Sequence, residues 1–178
     1  FEYRTDSSRR VHYKAELRYW SESQGGERYS WTNSVSWRPV DRLNVDLSVQ
    51  YQMSNAWVLW QQKQDFTGFD SRDWRPDFNV SYFLSAKQQL RFSAQWVAIR
   101  AKEKRFYQLN PVSRRLSEKT KGTGDSDDFA ISNLALQFRY QWEIAPLSEL
   151  FVVYTLNGYQ SVAESDFDDL LTSAYQNP

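Results

Sequence analysis

Between residues 28 and 53 apolar and small polar side chains alternate almost without a break. Tyr29, Trp31, Val35 and Trp37 fall to one side, and Ser30, Thr32, Ser34 and Ser36 to the other. After a short turn, Leu43, Val45, Leu47, Val49, Tyr51 and Met53 share a face, opposed by Asn44, Asp46, Ser48, Gln50 and Gln52. A period of two is the mark of a strand, because successive Cβ atoms leave opposite sides of a pleated backbone. The second face is polar but small, rich in Ser, Asn and Gln rather than Lys and Glu. One greasy and one wet face along a very long strand suits a membrane-spanning β-barrel with a hydrated lumen. The expected fold is therefore all-β, an antiparallel up-and-down transmembrane β-barrel.

Composition bounds the alternatives. The 178 residues suffice for one domain. Lys+Arg and Asp+Glu both number 22, so net charge gives no steering toward nucleic acid. Mean hydropathy is −0.74, which still permits a barrel, since half of each strand and all loops are polar. No run long enough for a transmembrane helix occurs. Aromatics make up 17%, with 8 Trp and 11 Tyr, as interfacial girdles require. A Trp-rich soluble sandwich or a sugar-binding surface is the competing account of the same residues. With no cysteine, disulfides, thiolate metal sites and Cys nucleophiles are excluded.

About seven strands are expected, with boundaries good to a few residues. The first runs from about Arg9 to Ser23, with Val11, Tyr13, Ala15, Leu17 and Tyr19 apolar and His12, Lys14, Glu16 and Arg18 polar. Gln24 to Glu27 forms a glycine hairpin before the second strand, residues 28–38, and Pro39 to Arg42 turns into the third. The third continues past a bulge near Ser54-Asn55 to about Gln62, with a hairpin at Asp65-Phe66-Thr67-Gly68. The fourth descends to Leu84, the turn is Ser85 to Gln88, and the fifth climbs from Gln89 to about Tyr107. A polar loop, about Asn110 to Asp127, precedes the sixth strand, Asp128 to Ile144. Ala145 to Ser148 turns into the seventh, Glu149 to Tyr159, and a polar tail reaches Pro178. Short turns thus gather at one rim and longer loops at the other, as in outer-membrane barrels. Strands of about 15 to 20 residues far exceed the usual 5 to 6 of globular sheets.

Known single-chain bacterial barrels close with an even number of strands, from about eight upward. Open edges in lipid would leave backbone groups unpaired. Phe1 is not a start methionine, no signal peptide is visible, and Phe1 to Thr5 already reads as strand. The expectation is a fragment in which residues 1–178 form the C-terminal part of one barrel domain, completed by missing strands of the same polypeptide. The acidic stretch Glu164 to Asp169 is expected to be an outer loop leading into a descending strand.

Several stretches resemble a known family. They are Trp57-Val58-Leu59-Trp60-Gln61, Phe66-Thr67-Gly68-Phe69-Asp70, the run from Ser81 to Arg91, and Gln95-Trp96-Val97-Ala98-Ile99. Phe138-Arg139-Tyr140-Gln141-Trp142 and the run from Pro146 to Tyr154 complete the set. Together, over roughly residues 40 to 160, they resemble the C-terminal outer-membrane β-barrel of a bacterial family of unknown function. That family carries an N-terminal module similar to a family-9 carbohydrate-binding module, which is not present in this sequence, so no sugar-binding residue is carried over. It usually has Gly after the turn proline, where this chain has Leu147. The resemblance implies strands and turns rather than chemistry.

The residues themselves offer little chemistry. His12 is the only histidine, and it lies among Lys14, Glu16 and Arg18 with no strained serine motif. A structural histidine is the expectation, and one histidine makes a zinc site unfavourable. Asp125, Asp127, Asp128 and Glu164, Asp166, Asp168, Asp169 form acidic clusters that lack the EF-hand spacing. A basic cluster, Arg100, Lys102, Lys104, Arg105, Arg114 and Arg115 with Lys119 and Lys121, suits phosphate by charge and fork geometry. It is the expected lipopolysaccharide contact.

The lipid-facing set is expected to be Tyr29, Trp31, Val35, Trp37, Val45, Leu47, Val49, Leu134, Leu136, Phe138, Tyr140 and Trp142. The lumen-facing set is expected to be Glu16, Arg18, Asp46, Gln50, Arg91, Gln95, Gln137, Arg139 and Gln141, with Phe83, Val97, Ile99, Phe151 and Val153 also inward. No cofactor and no nucleic acid is expected. The expected location is the outer membrane of a Gram-negative bacterium, in contact with lipid, lipopolysaccharide and other envelope proteins. The expected role is transport, secretion or surface anchoring without catalysis. A barrel that anchors a glycan- or partner-binding protein is the alternative, and an outer-membrane hydrolase a further one.

Overall fold

The computed structural model describes residues 1–22, 24–122 and 124–162. They form nine strands: β1 (Glu2–Arg4), β2 (Val11–Ser21), β3 (Glu27–Val40), β4 (Leu43–Gln62), β5 (Asp65–Ser85), β6 (Gln88–Leu109), β7 (Leu116–Lys119), β8 (Phe129–Ala145) and β9 (Ser148–Val162). All lie in one antiparallel sheet ordered β1-β2-β3-β4-β5-β6-β8-β9, with β7 paired to β6 off that path. The fold is an all-β, up-and-down open sheet, consistent with part of a barrel. The seven long strands read from the periodicity are β2 to β6, β8 and β9. Two short ones are added. β1 is the Phe1 to Thr5 stretch laid on β2, and β7 lies inside the segment expected to be a polar loop. The expected strand beyond Glu164 lies outside the described residues.

Every long strand pairs with its neighbour in sequence, and extensive contacts join only hydrogen-bonded neighbours. No second layer covers either face among the described residues. At one rim, turns lie between β3 and β4, β5 and β6, and β8 and β9. The opposite rim carries the β2–β3 hairpin, where Gly25 adopts φ 77°, the β4–β5 turn and the long β6–β8 connection.

One hairpin departs from expectation. The segment Asp65 to Gly68 is strand, and the turn lies just before it, at Lys63 (φ 47°) and Gln64. Thr67 and Gly68 pair with Leu59 and Val58 on β4. Gly68 is glycine for a packing reason: a Cβ there would meet Tyr107 Cε2 at 3.0 Å. In a strand interior, glycine often marks such a close approach rather than a turn.

The expected bulge in β4 is present, between Ser54 and Trp57. It falls where β3 begins. The Asn55 side chain accepts a hydrogen bond from the Glu27 amide at 2.7 Å, and Gly26 packs so closely that an added Cβ would lie 2.1 Å from Ala56 Cβ. A second shift, between Gly68 and Phe69, leaves Lys104 as the extra residue on β6. Burial concentrates in the half of the sheet beside these irregularities. There Ala98 and Ala130 pack under Trp74, Trp96 and Val162.

Leu147 adopts φ 67° in the β8–β9 turn with its side chain fully exposed (105%). A left-handed L-residue costs about 1–2 kcal/mol, and glycine restores only part of that in unfolded-chain entropy, about 0.4–1 kcal/mol. Leu147→Gly should therefore raise stability by roughly 0.5–1 kcal/mol in a urea unfolding titration. Gly26→Ala should lower it by about 1–3 kcal/mol by overpacking against Ala56.

Candidate functional site

Register assigns every long-strand side chain to one of two faces. Ladder rows such as Leu17–Trp31–Tyr51–Trp74–Ala98–Ser132 run across the apolar face. Val11–Trp37–Val45–Val80–Phe92–Phe138–Tyr154 is another such row. Tyr29, Val35, Leu47, Val49, Leu134, Leu136, Tyr140 and Trp142 lie on the same face. Trp31 is 46% exposed, Leu47 45% and Phe138 39%, whereas Leu134 is buried beside its cross-strand partner Trp96.

The opposite face carries Glu16, Arg18, Asp46, Gln50, Arg91, Gln95, Gln137, Arg139 and Gln141. Its groups pair mostly along or between neighbouring strands. Glu16 pairs with Arg18 and, at 3.3 Å, with Lys14. Glu22 takes Arg28 at 2.5 Å and the Ser54 hydroxyl at 2.9 Å. Asp73 takes Arg75 at 3.0 Å and Gln52 at 3.3 Å. Asp46 accepts from Ser36 at 2.5 Å, and Gln50 donates to Ser30 at 3.3 Å. Near the loop-bearing rim this polar face turns aromatic. Trp57, Phe69 and Phe129 form a ring cluster with centroids 5.4–6.4 Å apart, and Phe69 is fully buried. The β4 bulge puts Trp57 opposite Phe69, a placement that plain alternation misses.

The expected basic cluster divides. On the apolar face, Arg72 stands directly opposite Arg100, and Asp70 opposite Lys102, immediately beyond the Tyr51–Trp74 row. Asp70, Arg72, Arg100 and Lys102 line a hollow of about 330 Å³. Lys104 reaches both Asp70 oxygens, at 2.9 and 3.0 Å. Arg72 escapes a sequence reading because only the β5–β6 register brings it to Arg100. Arg105 pairs across from Gly68, while Arg114 and Arg115 sit exposed in the β6–β7 turn, where Arg114 has φ 53°.

The expected acidic cluster at Asp127 and Asp128 ties the β6–β8 connection to the polar face. Thr67 donates to Asp127 at 2.6 Å, the Asp127 amide donates to Glu103 at 2.8 Å, and the Glu103 amide donates to Asp128 at 2.6 Å. Lys121 pairs with Glu103 and lies over the Phe106 ring, while Lys119 pairs with Asp65 at 2.7 Å. The other cluster, Glu164 to Asp169, lies outside the described residues. No group of three or more potential metal ligands gathers among the described residues.

His12 faces Thr5, with Nδ1 3.3 Å from the hydroxyl oxygen, at the short-turn rim. Nearby, the Ser8 amide and hydroxyl both donate to Asp6, at 2.9 and 2.8 Å, and hold its carboxyl below the usual range. No described helix is long and apolar enough to cross a membrane, which says nothing about strands.

A family model described as Domain of unknown function (DUF5916) matches residues 1–178. The chain belongs to the DUF5916 family. No curated protein and no solved structure matches it.

The Glu103 carboxylate joins the β6–β8 connection to the sheet through two partners. Glu103→Gln should speed tryptic cleavage at Arg114, Arg115, Lys119 and Lys121 several-fold, with the global unfolding midpoint shifted by less than about 1 kcal/mol, as for a partly exposed pair. Mass spectrometry of the fragments reads the sites.

Proposed function

We propose that this chain is a section of a bacterial outer-membrane β-barrel, in which the apolar face meets acyl chains and the polar face borders a hydrated lumen. The observation that carries the reading is an apolar face that crosses all seven long strands and stays open, with no protein layer over it among the described residues. A patch of that extent on a soluble monomer would drive association. Its apolar stretches, such as Leu43–Met53 on β4 and Leu90–Ala98 on β6, match the roughly 9–11 residues of a tilted transmembrane strand. Tyr and Trp stand toward both ends of this band, Trp37, Tyr82, Tyr140 and Trp142 at one, and Tyr19, Tyr29, Trp31 and Trp74 at the other, as membrane interfaces favour. Within hydrocarbon the free edges of β1 and β9 require partners, and further strands of the same polypeptide supply them in this reading.

The role is transport, secretion or surface anchoring in the Gram-negative envelope, without catalysis. Anchoring of a binding domain is favoured by two features of the polar face. The Trp57–Phe69–Phe129 cluster occupies it near the loop-bearing rim, and the Thr67–Asp127 and Glu103 bonds fold the long connection against it. Loops turned inward plug many such barrels. The Arg72–Arg100–Lys102 hollow, just beyond the aromatic row, sits at the level where lipopolysaccharide phosphates would contact the wall.

A pair of substitutions at adjacent positions tests the orientation. Leu47→Arg should cost about 2–4 kcal/mol of folding into lipid vesicles, as arginine does near a bilayer midplane. Ser48→Arg, on the other face, should cost less than about 1 kcal/mol. Urea titration of the heat-modifiable folded band reads both, and equal effects, or folding that needs no lipid or detergent, would sink the proposal. In addition, Arg72→Gln with Arg100→Gln should weaken retention of lipopolysaccharide on the purified protein, assayed by phosphate content, without loss of the folded band.

A further inference from the structure

We infer that the polar face holds an oxyanion-binding site centred on Arg91 and Arg139, taking a small phosphate- or carboxylate-bearing solute. The inference rests on the barrel reading above, since it needs that face to border water. Arg91 on β6 and Arg139 on β8 are directly opposed in register. Directly opposed residues have Cβ atoms about 4.5–5.5 Å apart, and like charges there repel.

Three other arginines of the same face are neutralised by an acid: Arg18 by Glu16, Arg28 by Glu22 and Arg75 by Asp73. Arg91 and Arg139 have no ion pair among the described residues. Three carboxylates near them in the ladder are occupied by uncharged donors instead. Asp77 accepts from Gln95 at 2.6 Å and from Asn79, Asp46 from Ser36 at 2.5 Å and from Asn44, and Glu149 from Gln141 at 3.1 Å.

The surroundings are shaped for a guest. Asn79, Ser81, Arg91, Ser93, Gln137 and Arg139 line a hollow of about 300 Å³. The Nε of Arg139 is buried without a hydrogen-bond partner among the described residues, behind the part of the side chain that lines the hollow. Two guanidinium forks, two hydroxyls and two amides offer donors to an anion with several oxygens. A buried guanidinium donor left unsatisfied is costly, and two opposed cations double the incentive for an anion to bridge them.

Inorganic phosphate is the probe, titrated against chloride at equal ionic strength into the full chain folded in detergent micelles, with thermal unfolding as the readout. The expected result is a saturable rise in midpoint with phosphate. Arg91→Gln with Arg139→Gln should abolish that rise and raise the midpoint in chloride, since the repulsion is gone. Arg139→Lys keeps the charge but loses the fork, so half-saturation should move up about tenfold, the equivalent of one hydrogen bond to a charged group. A folded, heat-modifiable protein whose midpoint ignores phosphate overturns the site and leaves the barrel standing. A double glutamine variant less stable than the parent in chloride also overturns it, because a carboxylate of the polypeptide itself then already bridges the pair. A chain that folds without lipid or detergent removes the barrel reading and the site with it.

Discussion

The register of the antiparallel ladder is the constraint on which this structure depends. Once Trp31 is opposite Tyr51 and Tyr51 opposite Trp74, each neighbour along those strands is committed to a side. A slip of one residue would carry all the aromatics of a strand into the row of serines and glutamines, and the reverse. Because no second layer buttresses the sheet among the described residues, the hydrogen-bond ladder and the contrast between the apolar and polar faces must fix that register together. The shared apolar rows and the Ser34–Ser48 hydroxyl contact at 2.9 Å both reinforce it.

Departures from the regular ladder are local and have identifiable causes. The extra residue in β4 ends the β3 pairing where the Glu27 amide needs an acceptor, and Asn55 supplies it. The same irregularity sets Trp57 against Phe69, so an aromatic cluster appears on the face that carries most of the polar side chains. The long connection after β7 is then held through its own Asp127 and Asp128 to Thr67 on β5 and Glu103 on β6. Acidic residues that look like a cation site in one dimension serve here as acceptors for backbone amides and a hydroxyl.

Charge is handled differently at the two arginine pairs. Near the loop-bearing rim of the apolar face, Arg72 and Arg100 have Asp70 beside them, and Asp70 also takes Lys104. On the polar face toward the short-turn rim, Arg91 and Arg139 have hydroxyls and amides as the polar neighbours in their hollow, beside Val80 and Phe92. Both juxtapositions come from cross-strand pairing, so neither arises from spacing along the chain.

The strand class, the seven long strands, the identity of the two faces and the β4 bulge were legible in the sequence. They follow from a period of two and from turn chemistry, both local properties of the chain. Asp65 to Gly68 was misread because glycine signals turns and close approaches alike, and only the Tyr107 ring on β6 distinguishes them. Likewise, β7 is too short and polar to carry a periodic signal, and it exists because β6 offers a free edge beyond β8. Cross-strand partners belong to the same category: which arginine meets which depends on turn lengths and single-residue bulges summed over several strands. Alternation thus determined what each strand shows to either side, while the hydrogen-bonded assembly alone decided which side chains became neighbours, since pairing is set by register between segments distant in the chain.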